Sequence, residues 1–226
     1  MQPVIVDLLA ANGLHAERFQ SRFDDVQHGQ HPEAVTVCCS DSRVLQDHLW
    51  GNDEPGRLFT CSTIGNRVVQ RTDDGVVVSG DVLYPIHHAD TELVIVVGHT
   101  GCGAVAATHD AIADGSDEPP GIDHCIGLLR PLLEPGVAAL PDNLDRTATV
   151  NRLVEYNVDR QVESLLGSED LPSGVSVVGV VYDFQDVYGG RRGEVHVINV
   201  DGTRDVDRLR SEWPDIAPRV RRLWAY

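Results

Sequence analysis

The sequence predicts an α/β fold, with helices wound on both faces of a central sheet. Three observations point there. Short β-branched runs alternate along the chain with segments of helical periodicity. The strand-like runs are nearly continuous in apolar character, which suits central strands covered on both faces. The length, 226 residues, is enough to bury a core without disulfide staples and fits one domain spanning 1–226.

Taken in order, Ala34–Cys39 (AVTVCC), Leu58–Thr63 (LFTCST) and Leu93–His99 (LVIVVGH) read as the first three strands. Gly103–Asp114 follows as a helix, ended by Gly115. Residues 114–143 are rich in Pro, Gly and Asp and read as a long, partly irregular excursion. Over 145–166, Val150, Leu153, Val154, Val158, Val162 and Leu165 recur at helical spacing, which predicts a strongly amphipathic helix. Residues 175–184 and Glu194–Val200 complete the strands. The chain carries no internal repeat and no low-complexity tract.

Hydrophobic residues make up 42% of the chain, which excludes wholesale disorder. No apolar run approaches the roughly 18 residues of a membrane span. Residues 1–14 carry Asp7 and no basic n-region, so they do not read as a signal peptide, and the expected address is cytoplasmic. The formal net charge is -17, all 18 basic residues are arginine, and aspartate outnumbers glutamate by about two to one. Nucleic acid and anionic membrane are therefore excluded as natural partners. The same balance is expected of a protein adapted to molar salt. There the Debye length falls to about 3 Å, self-repulsion is screened, and short carboxylates keep the surface hydrated. Losing lysine also removes long apolar stems from the surface. The five cysteines (38, 39, 61, 102 and 125) form an odd set with no framework spacing, which favours metal binding over a disulfide scaffold.

Two segments carry the chemistry. Residues 34–43 (AVTVCCSDSR) run a buried strand straight into Cys39, Asp41 and Arg43, and residues 93–103 (LVIVVGHTGCG) run another into His99 and Cys102. Each places reactive groups just beyond the carboxyl end of a strand, where open α/β sheets build their sites. Two thiolates and one imidazole suit Zn²⁺, and three protein ligands leave a fourth position for water, as in catalytic zinc sites. The helix after Cys102 aims its N-terminus at the site and favours thiolate over thiol. Asp41 and Arg43 stand two apart in extended chain and face one side. In a bidentate pair, Arg43 holds the carboxylate ionised and free to accept a hydrogen bond from water on the metal.

Cys39-x-Asp41-x-Arg43 followed by His99-x-x-Cys102 resembles the two-part motif of the β-class carbonic anhydrases. The similarity runs from roughly residue 25 to 200 and includes Arg57-Leu-Phe, Gly65-Asn66-Arg67 and Gly179-Val-Val-Tyr-Asp183. The resemblance implies a parallel sheet of four strands with an added antiparallel strand. It also implies a homodimer or tetramer in which N-terminal helices embrace the partner. Residue by residue, it implies Cys39, His99 and Cys102 as zinc ligands and Asp41 and Arg43 as a catalytic dyad. Gln30 would orient the substrate, and Phe59, Ile64 and Tyr84 would line a small apolar CO₂ pocket, partly from the neighbouring subunit. The implied reaction is zinc-dependent, reversible hydration of carbon dioxide to bicarbonate and a proton.

The chain departs from the family pattern at Ser62 and Thr63, where the family usually reads Arg-Asn. In one branch that arginine helps to hold an inhibitory bicarbonate, so its absence implies that this control is missing. Cys38, Cys61 and Cys125 match no ligand position and read as structural. His87, His88, His109 and His124 receive no role. Two rivals stay open on sequence grounds: a hydrolase of CS₂ or COS on the same scaffold, and a non-catalytic protein that binds zinc and bicarbonate. A redox role for Cys38 and Cys39 is disfavoured, because vicinal cysteines rarely form a relaxed disulfide.

Overall fold

The five apolar runs all become strands of one sheet. The computed structural model describes residues 2–226. In chain order the elements are α1 (Pro3–Phe19), β1 (Ala34–Cys39), β2 (Leu58–Thr63), a hairpin of β3 (Val69–Thr72) and β4 (Gly75–Val78), α2 (Gly80–His88) and β5 (Leu93–His99). They continue with α3 (Gly103–Asp114), α4 (Pro120–Ala139), α5 (Arg146–Leu166), β6 (Ser176–Asp183), β7 (Glu194–Val200) and α6 (Val206–Glu212). The sheet order is β2-β1-β5-β6-β7, with the first four strands parallel and β7 antiparallel to β6. That is the sheet implied by the family resemblance. Among the described residues no helix is long and apolar enough to cross a membrane.

Burial explains the strand composition. All six residues of β1 are buried, as a strand flanked by neighbours and covered above and below must be. One face lies under α5, whose Leu153, Val158, Val162 and Leu165 are fully buried. Asp145 caps this helix by accepting a hydrogen bond from the Ala148 amide at 2.7 Å. The contact is close because β5 carries a glycine beneath it: a Cβ on Gly98 would lie 2.6 Å from Val158 Cγ2. The other face is barer. Trp50, Ile95, Val178, Val180, Val195 and Val197 line an open apolar groove there.

Residues 114–143 are more regular than their composition predicts. Most of them form α4, a helix of 20 residues with Pro131 and Pro135 inside it. Pro120 opens the helix, where a missing N–H costs nothing. Ile126, Leu129 and Leu133 then bury one stripe against the rest of the chain. The energy of that stripe outweighs the hydrogen bonds lost at the two internal prolines, and tertiary burial overrides local propensity. The β3–β4 hairpin and α2 also lie outside what the sequence patterns indicated.

One face of α5 is polar and buried: Asn151, Glu155 and Asp159, spaced one turn apart, are each 2% exposed or less. Asp159 holds the C-terminal segment through Arg222 at 2.7 Å, and Glu155 holds it through the amides of Leu223 and Trp224 at 2.8 and 3.1 Å. Tyr188 donates to Glu155 as well, at 2.7 Å. Burial pushes the Glu155 carboxyl from its ordinary 4.5 up to about 7, against the pull of Arg222 and the hydrogen-bond donors. Since the folded value exceeds the unfolded one, the chain takes up a proton on folding between the two. Stability from this group is complete below the lower value and lost as pH rises through the higher. Urea melts from about pH 5 to pH 8 should therefore show stability falling, and Glu155→Gln should flatten that fall by on the order of 2 kcal/mol. An unchanged slope in the variant would show that Glu155 titrates normally.

Candidate metal centre

Alternation along β1 sends its two terminal cysteines to opposite faces. Cys38 packs with Val44, Val97 and Val180, whereas Cys39 joins the core under the helices with Cys102 and Val105. β1 and β5 are adjacent and parallel, so Cys39 and His99 emerge at the same sheet end. The turn after β5 brings Cys102 back to them. The donor atoms of Cys39, His99 and Cys102 all lie within 4.8 Å of one another, and all three residues are buried.

The cluster fits zinc on three counts. Cys39 Sγ and Cys102 Sγ are 3.9 Å apart, and a tetrahedral ion with Zn–S bonds of about 2.3 Å requires a separation of about 3.8 Å. His99 Nδ1 lies 3.0 Å from the Thr100 carbonyl, which can only accept, so Nδ1 carries a proton and Nε2 is the nitrogen left to hold a metal. That Nε2 is buried and has no hydrogen-bond partner. A buried ring nitrogen without a hydrogen-bond partner beside two sulfurs is a donor set suited to a borderline-soft cation. His99 Nε2 also comes within 3.8 Å of Asp41 Oδ2, which places the dyad beside the cluster.

The sulfurs are electrostatically linked. A hydrogen bond from the Cys102 thiol lowers Cys39 well below an ordinary thiol, with His99 and the Gly65 amide helping against burial. Cys102 is pushed up correspondingly, because it keeps the shared proton beside a thiolate. The amides of Ala104 and Val105, in the first turn of α3, pull Cys102 toward the thiolate form. A divalent cation supplies the remaining charge compensation and lets both sulfurs ionise. Cys38 faces the other side of the sheet and Cys61 donates to the Asp81 carbonyl at 3.4 Å, so neither joins the donor set, and burial pushes both thiols up to about 12. All five cysteines are free thiols.

Arg43 grips Asp41 in a fork, with Nε at 2.8 Å from Oδ1 and Nη2 at 2.6 Å from Oδ2. These hydrogen bonds hold the Asp41 carboxyl well below the usual carboxylate range. The guanidinium also donates to the Gly101 carbonyl at 3.1 Å and stacks 4.6 Å from the Phe184 ring centroid. Phe184 in turn lies against the His99 imidazole, 5.6 Å between centroids. The metal cluster and the dyad are thus one assembly joined through Gly101 and Phe184.

The remaining sequence candidates lie on different elements. Ile64 directly follows β2 beside Gly65 and is 42% exposed. Phe59 pairs with Val35 near the start of β2, away from the strand ends that carry the cluster. Tyr84 projects from α2 against His88 and is 54% exposed. Gln30 is exposed on the segment before β1. Of the four, Ile64 stands nearest in the chain to the cluster, next to Gly65, whose amide reaches Cys39. Ser62 accepts from Gln46, and Thr63 Oγ1 donates to the Arg67 carbonyl at 3.0 Å, so the departures from the family pattern are satisfied locally.

Phe184, Asn151 and Gln185 touch the site without having been singled out. Phe184 stands just past the end of β6, and the rule that sites gather beyond strand ends covers it. Asn151 was hidden inside a helical pattern.

The family model for carbonic anhydrase matches residues 34–191. Carbonic anhydrase 2 of Mycobacterium tuberculosis (strain H37Rv) is 30% identical over 165 residues, covering 70% of this chain and 73% of that protein. The β-carbonic anhydrase CafA of Aspergillus fumigatus superposes with a TM-score of 0.71 at 26% identity, covering 96% of this chain and 99% of that one. A tetrameric β-carbonic anhydrase of Sordaria macrospora shares the fold at a TM-score of 0.69 and 23% identity, over 87% of this chain and 95% of that one. With its motif, its sheet order and its Cys-His-Cys donor set in agreement, this chain belongs to the carbonic anhydrase family, in the β class.

Proposed function

We propose that this protein catalyses the reversible hydration of carbon dioxide to bicarbonate and a proton, with zinc held by Cys39, His99 and Cys102. The observation that carries the reading is the buried, unpartnered His99 Nε2 between two sulfurs, with an ionised Asp41 held beside it. Zinc in such a set supplies Lewis acidity, which makes water nucleophilic near neutral pH. Asp41, unable to take a proton while Arg43 grips it, accepts a hydrogen bond from the attacking water and sets its direction. Arg43 fixes Asp41 and braces the 99–102 turn. Gln30 steadies a substrate oxygen, and Phe59, Ile64 and Tyr84 supply the apolar wall that CO₂ needs.

The exposure of Ile64 and Tyr84, 42% and 54%, in groups assigned to an apolar wall supports completion by a second copy. So does α1, which has no buried residue and exposes Val4, Val6, Leu8, Leu9 and Leu14. The chain is proposed to act as a homodimer or a tetramer, which light scattering behind gel filtration would settle. A cytoplasmic address belongs to the same proposal, supported by five free thiols suited to a reducing compartment.

Stopped-flow CO₂ hydration with zinc quantified in the same sample tests the activity. Rapid hydration at one zinc per chain supports the reading. Zinc with turnover of COS or CS₂ alone reassigns the substrate, and zinc with neither leaves a binding protein.

Salt adaptation is a further part of the proposal, resting on the net charge of -17 and the absence of lysine. Both melting temperature and activity should rise from low to molar KCl. A flat or falling melting temperature across the series would give the acidity another cause.

A further inference from the structure

We infer that Asn151 is a positioning residue for this reaction: it holds the 99–102 turn in the shape that sets the metal ligands and the Asp41–Arg43 pair against each other. Asn151 lies in the second turn of α5 and is 2% exposed. Its Oδ1 accepts from the Gly101 amide at 2.8 Å, and its Nδ2 donates to Gln185 Oε1 at 3.1 Å. Gly101 stands between two ligands, His99 and Cys102, with φ +63, a conformation that glycine adopts without strain. A Cβ there would lie 2.6 Å from Gln185 Nε2, so the turn is packed as well as hydrogen-bonded.

The other side of Gly101 faces the dyad. Its carbonyl accepts from Arg43 Nη2 at 3.1 Å, and the same nitrogen donates to Asp41 Oδ2 at 2.6 Å. Gly101 is therefore held at its N–H by a side chain on a core helix and at its C=O by the guanidinium that aims Asp41. Among the described residues, this is the hydrogen bond by which α5 reaches the turn between the two ligands. Without Asn151 the half-buried Gly101 amide loses its acceptor, and the turn relaxes toward another partner. The three metal donors stay in place, so zinc is kept, but their angles and the aim of Asp41 drift. Asn151 faces the turn and not the substrate wall, so the loss falls on kcat rather than KM.

This inference rests on the CO₂-hydration reading, and the experiment separates the two. Asn151→Ala, Asn151→Asp and Gln185→Ala are compared with the parent protein for zinc content, melting temperature, kcat and KM. The visible spectrum of the cobalt-substituted proteins reports ligand geometry independently of activity. In Asn151→Ala, zinc is retained, KM stays within about twofold, kcat falls about tenfold and the cobalt bands shift. Asn151→Asp keeps an acceptor for the Gly101 amide and meets Gln185 with its carboxamide turned over, so it restores the cobalt bands and brings kcat to within about threefold of the parent. Gln185 is exposed, so Gln185→Ala keeps its melting temperature and shows a smaller loss of kcat in the same direction.

Parent-like kcat and cobalt bands in Asn151→Ala overturn the inference, and so does equal impairment of the Ala and Asp variants. If Asn151→Ala does not fold, parent-like kcat and bands in Gln185→Ala overturn it instead. A parent protein that binds zinc yet hydrates no CO₂ sinks the functional reading alone, and the cobalt spectra still decide the role of Asn151.

Discussion

Zinc content and CO₂ hydration should collapse together in Cys39→Ser, His99→Ala and Cys102→Ser. Each change leaves two donors where the buried cluster has three, and a serine hydroxyl does not ionise as a thiol does. Hydration should fall by several orders of magnitude, because water without the metal is far from nucleophilic at neutral pH. The variants differ in what else they disturb. His99 is fully buried, so His99→Ala opens a cavity and costs on the order of 2–3 kcal/mol beyond the lost metal. Cys102 occupies the N-cap of α3 in extended conformation and makes no capping hydrogen bond. Serine is among the best N-cap residues, and Cys102→Ser should strengthen the start of the helix by about 1 kcal/mol. That variant therefore separates loss of metal from loss of fold: the metal-free melting temperature should hold or rise while zinc per chain falls. Near-normal zinc and activity in all three proteins would end the metal assignment.

Arg43→Ala should abolish most of the activity while zinc stays bound. Arg43 gives Asp41 two side-chain hydrogen bonds, and its loss leaves only the residue 43 amide, 2.9 Å from Oδ1. Charge-assisted contacts of this kind are worth about 1.5–3 kcal/mol, reduced here because Arg43 is half exposed to solvent. An Asp41 freed in this way no longer directs the attacking water, and the nearest positive charge left to it is the metal. The loss should be on the order of a hundredfold, with zinc per chain unchanged. Arg43→Lys should recover little, since an ammonium cannot reproduce the planar fork or the stacking on Phe184. In the unmutated protein the fork is expected to keep Asp41 off a bound metal, and Ser62 stands where one branch of the family has the arginine that favours the opposite arrangement. A crystal structure near pH 7 with Asp41 bonded directly to zinc would refute the open site and leave the family assignment intact.

The metal cluster was legible in the sequence because its chemistry sits at strand ends. A buried strand has a recognisable composition, and the residue that follows it projects where α/β sheets place their sites, so Cys39, Asp41, Arg43, His99 and Cys102 stand out without any coordinates. The amphipathic 145–166 helix was legible for a similar local reason, since its apolar positions repeat with the helical period. Helix α4 was not, because proline and glycine signal a break locally while Ile126, Leu129 and Leu133 find burial only in the folded chain.

By itself, the sequence determined the sheet's strands, the donor set and the dyad, all of which depend on residue type and short-range spacing. The tertiary structure alone decided which cysteine of the pair at 38 and 39 faces the metal cluster, which ring nitrogen of His99 is held by a carbonyl, and that Asn151 reaches the turn between the ligands. Those outcomes depend on pleat direction, on a carbonyl one residue away, and on the packing of α5 against β5. Groups that meet from positions 50 residues apart leave no periodic trace in the chain.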